Sequence, residues 1–269
     1  MYPPDKIFTA VVHDSAGRVD VAAVPAEHPD SASGVGSTAR GHGFSQPWVS
    51  TSRTPYHALM ASMASSAQPH GSDVVAVVPI KSFTAAKARL HTVLSPDDRR
   101  VLAERTARGV LRALASIPTL VICDDDAVAT LAQSCGAEVL MTSTTGLNTV
   151  VREAMGSLCA RGVERAMVVH ADLPQPHTLP AIAHRNGIVV VPDQRLDGTN
   201  VLMLPTDAPD RVAYGPGSFA RHIRSLTDLA RQRGLVCEVV RDHALGLDVD
   251  QPDDLNHPAA FSSDDRSLS

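Results

Sequence analysis

An α/β fold on a largely parallel sheet is predicted by three observations. From Val74 onward, short apolar runs alternate with amphipathic segments. The runs are rich in Val, Ile, Leu and Met, and glycines stand where the intervening helices should stop. Val74-Val75-Ala76-Val77-Val78 is the first buried strand. A helix over 96–117 follows, with Ser95 as N-cap, Pro96 at the first helical position, and Asp97 and Asp98 at the positive end of the helix dipole. Its apolar face includes Leu102, Val110, Leu111 and Leu114. Leu120-Val121-Ile122-Cys123 is the next strand, and a helix over 127–135 stops at Gly136. Val139-Leu140-Met141 is a third strand, leading to a helix over 148–161 with Asn148 as N-cap and Gly162 as its stop. Ala166-Met167-Val168-Val169-His170 is the fourth strand, before a helix over 178–185. Strands over 188–191 and 200–204 precede a helix over 218–233 that ends at Gly234. A strand over 236–240 and the apolar run Leu245-Gly246-Leu247, read as a further strand end, complete the pattern.

Residues 1–72 differ in kind. The stretch 31–71 is rich in Ser, Gly, Pro, Thr and His without a sustained period, so this N-terminal extension reads as largely disordered. Within it, the runs 7–12 and 19–24 around Ser15-Ala16-Gly17-Arg18 read as a hairpin. Met60 and Met63, just ahead of the first core strand, are candidate translation starts. Residues 73–257 form the catalytic domain on this reading, and 258–269 a polar, flexible tail.

The net charge of −5 gives no electrostatic footprint for nucleic acid, and 3% aromatics are too few for base-stacking platforms. The four cysteines, Cys123, Cys135, Cys159 and Cys237, lack CxxC or Cys/His ligand spacing and read as reduced, buried thiols. No run approaches the roughly 18 apolar residues of a membrane span, and the first thirty residues lack a signal-peptide core. The expectation is a cytoplasmic protein with no nucleic-acid or membrane partner; a homodimer is the default for a soluble enzyme.

Asp172, Asp248 and Asp250 fall at the ends of two apolar runs, in His170-Ala171-Asp172-Leu173-Pro174 and Leu247-Asp248-Val249-Asp250. Ligands of open α/β sheets bind outside the carboxyl ends of the strands, where Mg²⁺ is held by one or two carboxylates plus substrate phosphates. The three aspartates are therefore candidate Mg²⁺ ligands. Asp172 also reads as a cap for the helix after Pro176, and Asp248 and Asp250 as turn acids before a helix starting at Pro252, with Asp250 as its N-cap. After the first strand, Lys81, Lys87 and Arg89 place three cations within nine residues, either a clamp on nucleotide phosphates or a solvated basic loop. This is not a Walker A loop, whose glycines and terminal Lys-Ser/Thr are missing. Asp197-Gly198-Thr199-Asn200 and Tyr214-Gly215-Pro216-Gly217-Ser218 read as anion cradles, the second through the Ser218 hydroxyl and the N–H groups opening the next helix, or as ordinary turns and an N-cap. His170 and His222 read as supporting residues, since imidazole is an uncommon ligand for a hard cation.

In order along the chain, Val78-Pro79-Ile80-Lys81, Ala86-Lys87-Ala88-Arg89-Leu90, Gly146-Leu147-Asn148, Ala171-Asp172-Leu173-Pro174, Gly198-Thr199-Asn200, Gly215-Pro216-Gly217-Ser218 with His222, and Leu247-Asp248-Val249-Asp250-Gln251-Pro252 resemble the CofC/FbiD family of coenzyme F420 guanylyltransferases. Each piece alone is weak, whereas the ordered set, spanning 74 to about 255, is specific. The chain departs from the family pattern in its long N-terminal extension, in Gln251 where Thr is usual, and in His170. The resemblance implies a nucleotidyltransferase Rossmann-like three-layer fold with a mostly parallel sheet. It implies Mg²⁺ on Asp172, Asp248 and Asp250, with Lys81 assisting catalysis. Thr199, Gly215 and Ser218 would hold the phospho-acid, and Lys81, Lys87, Arg89 and Asn148 would lie on the nucleotide side. The implied reaction moves GMP from GTP to phosphoenolpyruvate, 2-phospho-L-lactate or 3-phospho-D-glycerate, releasing pyrophosphate and handing the product to the next enzyme of the route. Competing readings are another nucleotidyltransferase or glycosyltransferase of the same fold, or a non-catalytic nucleotide-binding protein.

Overall fold

A computed structural model of the chain describes residues 8–14, 19–24 and 73–257. The low-complexity stretch 31–71, the alternative starts Met60 and Met63, and the tail 258–269 lie outside the described residues. In chain order the elements are β1 (Phe8–Asp14), β2 (Val19–Val24), β3 (Val74–Pro79), α1 (Pro96–Ala113), β4 (Thr119–Cys123), α2 (Asp126–Ser134), β5 (Glu138–Met141), α3 (Leu147–Ala160), β6 (Arg165–Val169), α4 (Leu179–Ala183), β7 (Ile188–Pro192), β8 (Thr199–Pro205), α5 (Ser218–Arg233), β9 (Cys237–Arg241) and α6 (His243–Gly246). The strands form one sheet in the order β2-β1-β9-β7-β8-β6-β3-β4-β5. Strands β3, β4, β5 and β6 are mutually parallel, while β8 runs antiparallel to both β6 and β7. Strands β1 and β2 pair antiparallel, Phe8 opposite Val24, and β1 continues the sheet beside β9.

Period-two alternation in β3 sets the layers. Val74, Ala76 and Val78 face one apolar core with Ala107, Val110 and Leu111 of α1, Val128 and Leu131 of α2, and Ile182 of α4. Val75 and Val77 face a second core with Val151, Met155 and Leu158 of α3 and Leu226 and Leu229 of α5. Helices thus cover both faces, the three-layer α/β architecture expected for a parallel sheet whose strands read as unbroken apolar runs.

Several local expectations are corrected. Of the four cysteines expected to be buried, Cys123 is, whereas Cys135 and Cys237 are half-buried and Cys159 is exposed. The helix predicted over 96–117 ends at Ala113. Ile117 precedes Pro118, which disfavours helical geometry there, and the chain leaves through turns closed by Ala115 N–H to Arg112 O and Ile117 N–H to Leu114 O. The helix predicted over 178–185 is a 3₁₀ turn, Pro176–Thr178, followed by the short α4. Leu245-Gly246-Leu247 is not a strand end, because Asp242 caps a single helical turn by accepting from the N–H groups of Ala244 and Leu245. Nor does Asp250 cap the turn that follows: Gln251 is the N-cap of Pro252–Asn256.

Candidate active site

From β3 the chain steps outward to β4 and β5, then returns to β6 on the other side of β3. That reversal is a topological switch point, where the loops after neighbouring strands diverge and leave a crevice. A cavity of about 450 Å³ lies there, lined by segments that follow each of these four strands, among them Lys81 and Lys87, Asp124, Gly146 and Asp172. Because β8 is antiparallel, its amino end reaches the same edge: Val201 pairs with Val169, and His170 N–H donates to Asn200 O at 3.0 Å.

Lys87 is held in an unusual way. Its backbone lies in the left-handed region, φ 55°, which costs a non-glycine residue on the order of 1 kcal/mol. Its side chain is only 6% exposed and its ammonium donates to Asp172 Oδ2 at 2.8 Å. Burial opposes the Asp172 charge, but Lys87, aided by His170, holds its carboxyl below the usual range. Arg89, largely exposed, pairs with Asp250. Lys81 and Asp250 also line the cavity.

The Asp248–Asp250 segment is fixed by neighbours remote in sequence. Val249, fully buried, packs with Leu90 and Leu102, and its N–H reaches Asp172 O at 3.4 Å. Asn200 Nδ2 donates to Leu245 O and Gly246 O at 2.9 and 3.2 Å, satisfying carbonyls left open at the end of α6. Asp254 Oδ2 accepts from the N–H groups of Asp250 and Gln251, while its Oδ1 accepts from Arg195 at 2.6 Å. Sequence reading missed Asp254 and Arg195 as anchors; their only local signal was the acidic first turn after Pro252.

Thr199, Gly215, Ser218 and Asn148 form a second group around Tyr214, outside the lining of that cavity. Asn148 is not an N-cap, since Gly146 takes that position. Its amide instead clamps Tyr214, donating to the carbonyl at 3.0 Å and accepting from the N–H at 2.6 Å. The N–H groups expected to cradle an anion at the start of α5 are already engaged. Gly217 donates to Asp197 Oδ1, Phe219 to Asp197 O and Ser218 to Gly215 O, at 3.1, 3.0 and 2.9 Å. Asp193 braces the opposite loop by accepting from Asp197 and Gly198 N–H, both at 2.9 Å; a Cβ at residue 198 would stand 2.9 Å from its carboxylate, so a larger residue there would have to displace the Asp193 side chain. Arg221 reaches back to Ala213 O and Pro216 O. Ring contacts link the two groups, His170 tilted against Tyr214 at 5.2 Å between centroids and Tyr214 edge-to-face with His222 at 5.1 Å.

Among the described residues, no three Asp, Glu, His or Cys side chains are arranged to hold one metal ion. Of the three predicted aspartates, Asp172 is paired with Lys87 and Asp250 with Arg89. Two observations nevertheless fit a divalent cation. Asp172 Oδ1 is buried without a hydrogen-bond partner, and the Asp248 carboxyl is pushed up to about 6 by burial and then by the charges of Asp172 and Asp193. A cation would relieve both, and two carboxylates with substrate phosphates make a sufficient Mg²⁺ set.

Helices on both faces of the sheet, with cations and carboxylates meeting at its switch point, define the class: a nucleotidyltransferase of the Rossmann-like α/β type. A nucleotide-diphospho-sugar transferase structure from Desulfovibrio desulfuricans G20 shares the fold, with a TM-score of 0.56, 18% identity, and coverage of 69% of this chain and 85% of that one. The chain belongs to the family described as guanylyl transferase CofC like, whose model matches residues 74–267. Similar proteins include a phosphoenolpyruvate guanylyltransferase of Sphaerobacter thermophilus, 35% identical over 206 residues, covering 71% of this chain and 97% of the relative. A 2-phospho-L-lactate guanylyltransferase of Methanothermobacter thermautotrophicus is 34% identical over 188 residues, covering 68% and 81%. Among the described residues, no helix is long and apolar enough to cross a membrane.

Proposed function

We propose that the protein transfers GMP from GTP to the phosphate of a three-carbon phospho-acid, with Mg²⁺ and release of pyrophosphate, in coenzyme F420 biosynthesis. The observation that carries this reading is the Lys87–Asp172 pair at the switch point, with Lys81 and Asp250 in the same cavity, in a chain of the guanylyl transferase family. Phosphoenolpyruvate and 2-phospho-L-lactate are the acids named for relatives, and 3-phospho-D-glycerate is the third candidate.

Lys81, Lys87 and Arg89 neutralise the triphosphate, fixed cations being most effective where charge gathers during phosphoryl transfer. Asp172, Asp248 and Asp250 would hold Mg²⁺, which would supply charge neutralisation to the phosphates. Thr199, Gly215 and Ser218 orient the phospho-acid. No general base is required, because a phosphate monoester with a second pKa near 6 is already mostly ionised at neutral pH. That agrees with His222, whose imidazole is pushed down to about 4 by burial and then by Arg221 and His170, and so is poorly suited to carry a proton.

The test is pyrophosphate release from GTP with Mg²⁺ and each of the three acids, coupled to the next enzyme because the product is labile. CTP, UTP and ATP serve as competitors. Turnover with GTP and one acid, lost in Asp172→Asn, is the expected result. Unchanged turnover in that variant would overturn the metal assignment, and preference for another nucleotide would overturn the guanylyl assignment.

A further inference from the structure

We propose that His222 is a positioning residue that makes the Thr199 hydroxyl an obligatory hydrogen-bond donor toward an anionic oxygen of the phospho-acid. The inference rests on Thr199, Gly215 and Ser218 being the phospho-acid subsite.

The hydrogen bonds fix the argument atom by atom. The Ala213 backbone N–H can only donate, and it lies 3.0 Å from His222 Nε2, so Nε2 is an acceptor and carries no proton. The imidazole proton must then sit on Nδ1. That nitrogen is 3.0 Å from Thr199 Oγ1, so it donates and the hydroxyl oxygen accepts. Threonine has one hydroxyl proton, which must point away from His222. Among the described residues, Thr199 Oγ1 has no other hydrogen-bond partner, although Thr199 is 1% exposed and His222 fully buried. A buried hydroxyl proton without an acceptor is a donor held for something absent from the protein chain.

Three neighbours sharpen the choice of ligand. The N–H groups of Gly217, Ser218 and Phe219 are closed off by Asp197 and Gly215, so these donors of the helix start are not free. Arg221 places a guanidinium beside Gly215 and Gly217, within 3.6 and 3.4 Å of where their Cβ atoms would be. The neutral state of His222 preserves the arrangement, since an imidazolium would leave Ala213 N–H without an acceptor. A fixed O–H donor in a subsite that also carries a guanidinium at Gly215 and Gly217 selects a group that only accepts, which describes a carboxylate or an ionised phosphate.

The two amide replacements of His222 separate this role from a packing role. An asparagine amide nitrogen takes the place of Nδ1 and can still donate to Thr199, whereas a glutamine oxygen takes the place of Nε2 and can still accept from Ala213. The KM for the phospho-acid is expected to stay within about 3-fold of the unmodified protein in His222→Asn. In His222→Gln and Thr199→Val it should rise about 10- to 100-fold, the range for a lost hydrogen bond to a charged group. The KM for GTP should be unchanged in all three, and the double variant His222→Gln/Thr199→Val should be no worse than Thr199→Val. Equal losses in the two His222 variants, or multiplying losses in the double variant, would overturn the positioning role. An unchanged phospho-acid KM in Thr199→Val would instead overturn the subsite. The tautomer is also readable without turnover: ¹⁵N spectra of the unmodified protein should show His222 neutral with its proton on Nδ1, and a proton on Nε2 would refute the inference.

Discussion

The two ends of the site hold polar groups in opposite ways. At the switch point charges pair directly, Lys87 with Asp172 on the cavity wall and Arg89, which is not among the lining residues, with the lining residue Asp250. Around Tyr214 the side chains are mostly buried: the His222 imidazole bridges Ala213 N–H and Thr199 Oγ1, Thr199 and Ser218 are almost fully covered, and the Tyr214 hydroxyl is buried with no hydrogen-bond partner among the described residues. The first arrangement can exchange partners, because each cation now resting on a carboxylate could move to a phosphate. The second is preorganised, with donor directions fixed before anything binds. On the proposed reaction, the charged end suits a triphosphate and the neutral end suits discrimination among small acids, where unpaired buried polar groups penalise the wrong ligand.

The comparison breaks most sharply at Lys87. Lys87→Met should lower kcat/KM by about 10²- to 10³-fold, the usual effect of removing a donor aimed at developing charge. It also strips Asp172 of the cation that holds its carboxyl low, so melting temperature should fall together with activity. Pyrophosphate release and thermal melting check both, and an active Lys87→Met would mean that the pair is only structural.

Asp248 and His222 bring the two ends into one pH experiment. The Asp248 carboxyl rises from 3.8 to about 6 on folding, so its favourable contribution is complete below 3.8 and lost as pH climbs through 6. The His222 imidazole falls from 6.5 to about 4, so its contribution is complete above 6.5 and lost as pH drops toward 4. His170, lowered by burial, acts in the same direction as His222. Between pH 6 and 4 the two ends therefore oppose each other in the metal-free protein. Asp248→Asn should raise stability at pH 7–8 in chelator by about 1–2 kcal/mol, part of the roughly 1.4 kcal/mol per unit that such a shift represents. The variant should then lose stability steadily on acidification, while activity falls. Urea melts across this pH range test it, and a less stable Asp248→Asn at neutral pH would contradict it.

What the sequence made legible follows from what is local. The apolar runs announced the strands, and Ser95, Pro96 and Asp98 announced the start of α1. Lys81, Lys87 and Arg89 were recognisable because they cluster along the chain. Asn148 looked like a cap and became a clamp, because its partner Tyr214 lies 66 residues away. Asp254 carried only the signal of an acidic first turn, yet it anchors Asp250 N–H and is itself held by Arg195 at a separation of 59 residues. Likewise, the start of α5 looked like an anion cradle until Asp197, 20 residues earlier, was seen to occupy Gly217 N–H. Tertiary partners decide which donors remain free, and no spacing rule carries that information.

Asn148 tests the preorganised end alone. Its two hydrogen bonds fix Tyr214 and hence the approach to Gly215. Asn148→Ala should raise the phospho-acid KM about 10-fold with little change in the GTP KM, in keeping with about 1–2 kcal/mol for lost hydrogen bonds that leave a backbone group unpaired. A rise confined to the GTP KM would move Asn148 to the nucleotide side.

Arg89 gives the smallest effect and the cleanest test of the exchangeable end. Its side chain is 71% exposed, so its pair with Asp250 contributes little to stability, as is usual for surface ion pairs. Arg89→Ala should leave the melting temperature within about 1–2 °C, since a surface pair is worth well under 1 kcal/mol. If Arg89 turns to the triphosphate, the GTP KM should rise several-fold at low ionic strength and the difference from the unmodified protein should shrink with added salt, because exposed charges are screened. A GTP KM insensitive to both the substitution and salt would leave Arg89 on Asp250 throughout, and the exchange of partners would rest on Lys87 alone.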